Sequence, residues 1–255
     1  RFKPKDVEKY METFISWMEE YGSKTPDEDR LWMKKYMKYK FDFLGVKSPE
    51  KREAVSRLQK EDPQLWKSMK EDHEMLRSVL RYLWSKEQRE YQQVAVDIFT
   101  KLLPKTWNDK VSVDLLNLAE EFIISKSWWD TVDFLAINIV GKLLKPKPKD
   151  FRHYYISRSK DWRYSSNFWL RRTTLLFQLK YKEETDTALL IELCKYNMES
   201  TEFFIRKAIG WALREYAKTD QKLVKDFVTQ YDEILSGLSK REALKHVASE
   251  TEPDA

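Results

Sequence analysis

The chain has 255 residues, enough to bury a sizeable core as one large or two small domains, and only 5 Gly and 8 Pro interrupt it. With 35% charged and 42% apolar residues, the composition favours an all-α protein over a turn-rich sheet protein. The formal net charge is +5, and the lone cysteine excludes a disulfide framework and a thiolate zinc site.

No apolar run approaches the roughly 18 residues that span a bilayer, so no membrane partner is expected. The first residues, Arg1-Phe2-Lys3-Pro4-Lys5, lack the apolar core of a signal peptide. A start on Arg rather than Met suggests a segment of a longer precursor. Helical periodicity then predicts segments near 5–21, 28–39, 49–59, 63–83, 87–103, 111–124, 128–144, 150–157, 167–180, 185–198, 202–217, 221–234 and 240–248. Residues 1–27 read as an N-terminal helix or arm, and 249–255 as a disordered tail, within a single domain spanning 1–255. Trp17, Trp32, Trp66 and Trp84 sit at amphipathic spacing and are expected to pack between helices. Lys34, Lys35, Lys38 and Lys40 suit either a solvated face or phosphate contacts. Gly45 reads as a helix stop, with Ser48 as the next cap and Pro49 at the first helical position.

The segment Trp128-Trp129-Asp130-Thr131-Val132-Asp133 places two indoles beside two carboxylates at a helix start. Ser127 is suited to cap that helix, and Asp130 to reach back to the cap in a capping box. Asp133 has no such local role. It lies four residues after Trp129, so the two project from one helical face. A carboxylate beside a large π face suits a site that stabilises positive charge, whereas a packing Trp next to a solvated Asp is the plainer alternative.

Pro146 and Pro148 mark a loop at Leu144–Pro148. From Lys142 to Lys182, twelve Lys/Arg face two Asp/Glu, a local net of +10 that leaves −5 for the rest. Lys145, Lys147, Lys149, Arg152, Arg158, Lys160, Arg163, Arg171 and Arg172 alternate there with His153, Tyr154, Tyr155, Trp162, Tyr164, Phe168 and Trp169. Basic and aromatic side chains together suit nucleic acid. Cys194 falls in an apolar stretch and reads as a buried structural thiol. His73, His153 and His246 are too far apart for a metal set, so no metal or other cofactor is expected.

Phe168-Trp169-Leu170-Arg171-Arg172 is repeated 35 residues later as Phe203-Phe204-Ile205-Arg206-Lys207, with looser copies near Tyr91 and Trp128. Helix pairs repeating at this period predict an α-solenoid of HEAT-like repeats. Its concave, basic face is the expected nucleic-acid-binding surface. Arg206 and Lys207, as repeat partners of Arg171 and Arg172, are candidates to extend a phosphate track.

Several ordered blocks resemble the AlkD family of DNA glycosylases, HEAT-like proteins that remove alkylated purines. They are Lys35-Tyr36-Met37-Lys38 with Phe43-Leu44-Gly45-Val46; Ser125-Lys126-Ser127-Trp128-Trp129-Asp130-Thr131-Val132-Asp133; Trp169-Leu170-Arg171-Arg172-Thr173; Glu202-Phe203-Phe204-Ile205-Arg206-Lys207-Ala208-Ile209-Gly210-Trp211; and Leu238-Ser239-Lys240-Arg241-Glu242-Ala243. The resemblance implies that Asp133 is the catalytic carboxylate, Trp129 and Trp211 the aromatic site residues, and Arg172 the site arginine, suited to a phosphate beside the lesion. It also implies DNA contacts by Tyr36, with Lys126 and Arg171 as further candidates in the matched blocks. The segment between Gly141 and Asn167 is longer than the family pattern. The implied activity is release of cationic 7-methylguanine or 3-methyladenine from duplex DNA without base flipping, by a monomer acting inside the cell as the first step of base excision repair. Two other readings stay open: a non-catalytic helical scaffold, since fold alone does not establish chemistry, and RNA binding through the aromatic-basic stretch.

Overall fold

The computed structural model describes residues 2–103, 109–159 and 161–247. Within them every regular element is helical, as composition and periodicity predict. The tail at 249–255 and Lys160 lie outside the described residues, as does the side chain of Arg158. Among the described residues no helix is long and apolar enough to cross a membrane. The chain divides into two compact units, Arg1–Leu118 and Ala119–Ala255.

The first unit contains α1 (Val7–Ser23), α2 (Asp27–Tyr36), α3 (Ser48–Glu61), α4 (Pro63–Glu71), α5 (His73–Ser85), α6 (Arg89–Lys101) and most of α7 (Asp109–Ile123). Helix α1 packs on α3 and α5, α5 on α4 and α6, and α3 on α6. Met11, Phe14, Met18, Leu65, Met69 and Leu76 are sealed between them. The single helix expected over 63–83 is broken at Asp72. That residue takes an extended backbone, and its carboxylate accepts the Glu74 N–H at 2.9 Å, ending α4 and capping α5. Helix α3 starts one residue earlier than expected: Lys47 is the cap residue, and its N–H donates to the Glu50 carboxylate at 2.8 Å.

Trp17, Trp66 and Trp84 are buried as expected, but Trp32 is 62% exposed. Amphipathic spacing identifies a face without saying what covers it, and α2 buries none of its own residues. Beyond α2 the backbone runs through Gly45, whose φ of 101° fits the expected break. The fully buried Glu90 carboxylate holds this turn by accepting the N–H groups of Leu44 (3.0 Å), Gly45 (2.8 Å) and Val46 (3.0 Å).

The second unit contains α8 (Trp129–Leu135), α9 (Gly141–Leu144), α10 (Lys149–Tyr154), α11 (Phe168–Leu176), α12 (Thr187–Asn197), α13 (Phe203–Ala217), α14 (Gln221–Gln230) and α15 (Gly237–Leu244). A wider π turn, Ala136–Val140, joins α8 to α9, with the Gly141 N–H bonded to the Ala136 carbonyl. The helix expected over 128–144 is therefore continuous but locally unwound. Helix α13 packs against both α11 and α15, with α12 and α14 against α13 as well. This is the stacked arrangement of an α-solenoid. Cys194 is completely buried in α12, and burial pushes its thiol up to about 12, in line with a structural role.

The 35-residue repeat persists in individual hydrogen bonds. The Ser165 and Ser200 hydroxyls accept the N–H of Asn167 (3.1 Å) and Glu202 (3.2 Å). The Asn167 and Glu202 side chains then accept the N–H of Trp169 (3.0 Å) and Phe204 (3.5 Å). Arg171 and Arg206 fold back to the Ser165 and Ser200 carbonyls at 3.1 and 2.8 Å. Equivalent side chains thus start α11 and α13 in the same way, satisfying N-terminal amides that a helix leaves unpaired.

Candidate active site

Helices α8, α11 and α13 bring Asp133, Arg172 and the first turn of α13 together. Arg172 Nε donates to Asp133 Oδ1 at 2.7 Å and Nη2 to Oδ2 at 2.9 Å, a two-pronged pair. Nη1 donates to the Phe204 carbonyl. Only 4% of the Arg172 side chain is exposed, against 16% for Asp133. Both carboxylate oxygens are thus held by Arg172 while part of the side chain stays accessible to solvent. Each of its oxygens still has acceptor capacity, because an ionised carboxylate has about four lone-pair sites.

An aromatic cluster adjoins the pair. The Trp128 ring meets Trp169 at 5.9 Å and Phe204 at 5.2 Å, both edge to face. Trp169 and Phe204 are 4.8 Å apart, and Phe168 stacks parallel to Phe204 at 6.2 Å. The Arg172 guanidinium carbon lies 5.5 Å from the centre of the Phe204 ring. Such ring pairs contribute about 0.5–1.5 kcal/mol each beyond area burial. They stiffen the adjoining ends of α8, α11 and α13.

The start of α8 differs from expectation. Trp128, not Ser127, is the cap residue, with extended φ and ψ of −157° and 162° and no side-chain cap. The Ser127 hydroxyl instead donates to the Ile123 carbonyl at 2.5 Å, finishing α7. The expected capping box is therefore absent, and Asp130 sits in the first turn of α8. Trp129 is the first residue of α8, half-buried, one turn before Asp133 on the same face. Trp211 is half-buried on α13, two turns beyond Phe204.

Arg172 differs from the phosphate-binding role expected of it, because its fork is committed to Asp133 and a backbone carbonyl. Arg171 and Arg206 are half-buried and spend a nitrogen on local carbonyls. Lys207 Nζ is paired with Glu242 at 2.8 Å. Lys126 is exposed on a left-handed turn with φ of 49°. Tyr36, in the first unit, is exposed and stacked on Trp32.

The basic run is less of a free surface than its charge count suggests. Arg152 is buried beside the Tyr181 ring. Arg163 pairs with Glu192 and lies against Tyr164 and Tyr196, while His153 also meets Glu192 at 3.1 Å. Asp133 and Glu192, the acidic partners of Arg172 and Arg163, both fall just outside the counted window. Sequence reasoning read Trp128 as one of two indoles at a helix start, but placed neither Trp128 nor Phe204 in the site. Phe204 was accessible through its repeat equivalence to Trp169, but nothing local to the sequence showed that Trp128 takes an extended backbone and meets the rings of Trp169 and Phe204.

Fold and site together define a helical-repeat protein with a clamped carboxylate beside an aromatic wall. The sequence model of the DNA alkylation repair enzyme family matches residues 17–247, and the chain belongs to that family. A solved structure described as a predicted DNA alkylation repair enzyme from Enterococcus faecalis is 30% identical, with a TM-score of 0.73 over 88% of this chain and 97% of that one. No curated protein matches. Membership makes this a DNA-repair protein directed at alkylated DNA.

Proposed function

We propose that the chain is a DNA glycosylase of the AlkD type, hydrolysing the N-glycosidic bond of purines that alkylation has made cationic. The observation that carries this reading is the Asp133–Arg172 pair, in which a carboxylate is fixed by two hydrogen bonds yet remains open on one side.

A 7-alkylated guanine already carries positive charge, so its departure needs no enzyme acid. As the bond from the sugar C1′ to the base nitrogen breaks, its electron pair goes to the base, which leaves neutral. Positive charge then develops on the sugar, where Asp133 stabilises it electrostatically. Water adds to C1′, and the proton it loses passes to Asp133 or solvent. Arg172 is a positioning residue that sets the carboxylate plane. Trp129 and Trp211 are the proposed π faces for the cationic base or sugar, each good cation–π contact contributing about 0.5–2 kcal/mol. Lys126, Arg171, Arg206, Lys207 and Tyr36 are the proposed DNA contacts. The resemblance to the AlkD family implies that this occurs without extrusion of the base into a pocket, unlike in base-flipping enzymes.

The test is release of free 7-methylguanine from methylated duplex DNA. Wild-type protein should release it, and Asp133→Asn should lose most release while still binding duplex. Equal release by the Asn variant sinks the role of Asp133. Duplex binding without any release by the wild type would favour a non-catalytic scaffold.

A further inference from the structure

The first unit carries an aromatic surface of which the proposed function uses only Tyr36, as a DNA contact. Trp32 and Tyr36, one turn apart on α2, lie nearly parallel, with ring centres 5.1 Å apart and planes inclined by 12°. They are 62% and 55% exposed, and Tyr39, just beyond the helix, is 64% exposed. Rings of this size usually lose most of their surface to packing. Here they form a flat stack at the protein surface.

The backbone around this stack is strained and firmly held. Lys38 and Tyr39 are consecutive left-handed residues with φ of 56° and 57°, each costing roughly 1–2 kcal/mol in a residue other than glycine. The turn is held by the Tyr39 N–H on the Lys34 carbonyl at 2.7 Å and by the buried Met37. Further along, the Arg89 N–H binds the Asp42 carbonyl at 2.9 Å and Glu90 clamps residues 44–46. None of this buries the Tyr39 ring, so the conformation presents the ring rather than packs it. Strain maintained this way is characteristic of functional positions. The charge along this segment is mixed: Asp27, Glu28 and Asp29 open α2, Lys34 is bridged to Asp42 at 2.6 Å, and Lys35 and Lys38, adjacent in sequence to Tyr36 and Tyr39, are exposed cations.

We infer that the Trp32–Tyr36 stack and Tyr39 form a binding surface for unpaired nucleotides of single-stranded DNA. A base within a duplex has both faces covered by its neighbours, so an open aromatic face gains little from paired DNA. An unpaired base offers a free π face, and the flanking lysines complement its phosphates. The inference rests on DNA being the polymer this protein serves. It does not rest on base release.

The experiment measures binding of labelled oligothymidylate and of a flush duplex of equal length, at one fixed salt concentration. Trp32→Ala and Tyr39→Ala should each weaken oligothymidylate binding about five-fold or more, equivalent to about 1 kcal/mol and the lower end for one base stacked on an aromatic ring. Both should leave duplex affinity within about two-fold, and Trp32→Phe should restore most of the Trp32→Ala loss. Equal losses on both DNAs, or no loss on either, overturn the inference. Oligouridylate bound as tightly, with the same dependence on Trp32, overturns the assignment to DNA. Since the readout is binding alone, it can fail while Asp133-dependent base release stands, and the reverse also holds.

Discussion

Arg172 supplies a direct test of whether the site arginine clamps the carboxylate or grips DNA. Its guanidinium makes two hydrogen bonds to Asp133 and one to the Phe204 carbonyl. Hydrogen bonds to charged groups contribute about 1.5–3 kcal/mol each, and breaking a buried ion pair outright costs about 3–5 kcal/mol. Arg172→Lys keeps the charge but loses the planar fork, so a stability loss of about 1.5–3 kcal/mol is expected, rising to about 3–5 kcal/mol for Arg172→Met. A carboxylate free to rotate no longer faces the sugar. Release of 7-methylguanine at saturating DNA should fall about 10- to 100-fold in the Lys variant, the order expected when a reacting group is misplaced by about 1 Å. The decisive assay is affinity for undamaged duplex across a salt series. A guanidinium that is only 4% exposed contributes no phosphate contact, so both variants should keep the wild-type slope of log affinity against log salt. A slope reduced by about one in Arg172→Met, with Arg172→Lys restoring both affinity and release, would refute the clamp.

Gly141→Ala probes the packing that supports the same helix. A Cβ built there stands 2.4 Å from the Phe177 carbonyl oxygen, a backbone atom that cannot swing aside, so urea denaturation should show a loss of about 1–3 kcal/mol from overpacking. The Tyr181 hydroxyl donates to the Gly141 carbonyl at 2.5 Å, so the substitution also disturbs that link. A pH dependence follows from Glu242, which joins α15 to α13 through Lys207 at 2.8 Å and Arg214 at 2.5 Å. The hydrogen bond from Lys207, followed by its charge and that of Arg214, lowers the Glu242 carboxyl below its ordinary value. A group depressed in the folded state contributes stability that is fully present above its unfolded value, near pH 4.3, and lost as pH falls through the lower folded value. Thermal melts of wild type and Glu242→Gln should therefore differ at pH 7 and converge only as the pH falls through the depressed carboxyl value. A difference that persists unchanged in acid would remove the charge from the explanation.

The helical class was legible because its signals are local: few breakers, amphipathic spacing and the prolines around 146–148. Boundaries failed where one side chain decided them, as at Asp72, whose carboxylate ends one helix and begins the next. Asp133 was separable from Asp130 by spacing alone, although the capping argument used for Asp130 did not hold. Burial was not legible. Trp32 has the same amphipathic signature as Trp17 but stacks on Tyr36 at the surface and stays exposed, and the excess of positive charge at 142–182 shrinks once Arg163 and Arg172 find acids beyond that window.

The 35-residue repeat shows where such inference stops. It correctly transfers every device that depends on the backbone, including the Ser, Asn/Glu and Arg bonds that open α11 and α13. It does not transfer the partners of the next residue. Arg172 reaches back to α8 and meets Asp133, whereas its counterpart Lys207 is paired with Glu242 on α15, further along the chain. The repeat dictates how α11 and α13 start, since that chemistry lies within the repeat. What a side chain meets across the interface depends on a neighbour that need not carry the same residue, and one such departure places the clamped carboxylate on α8.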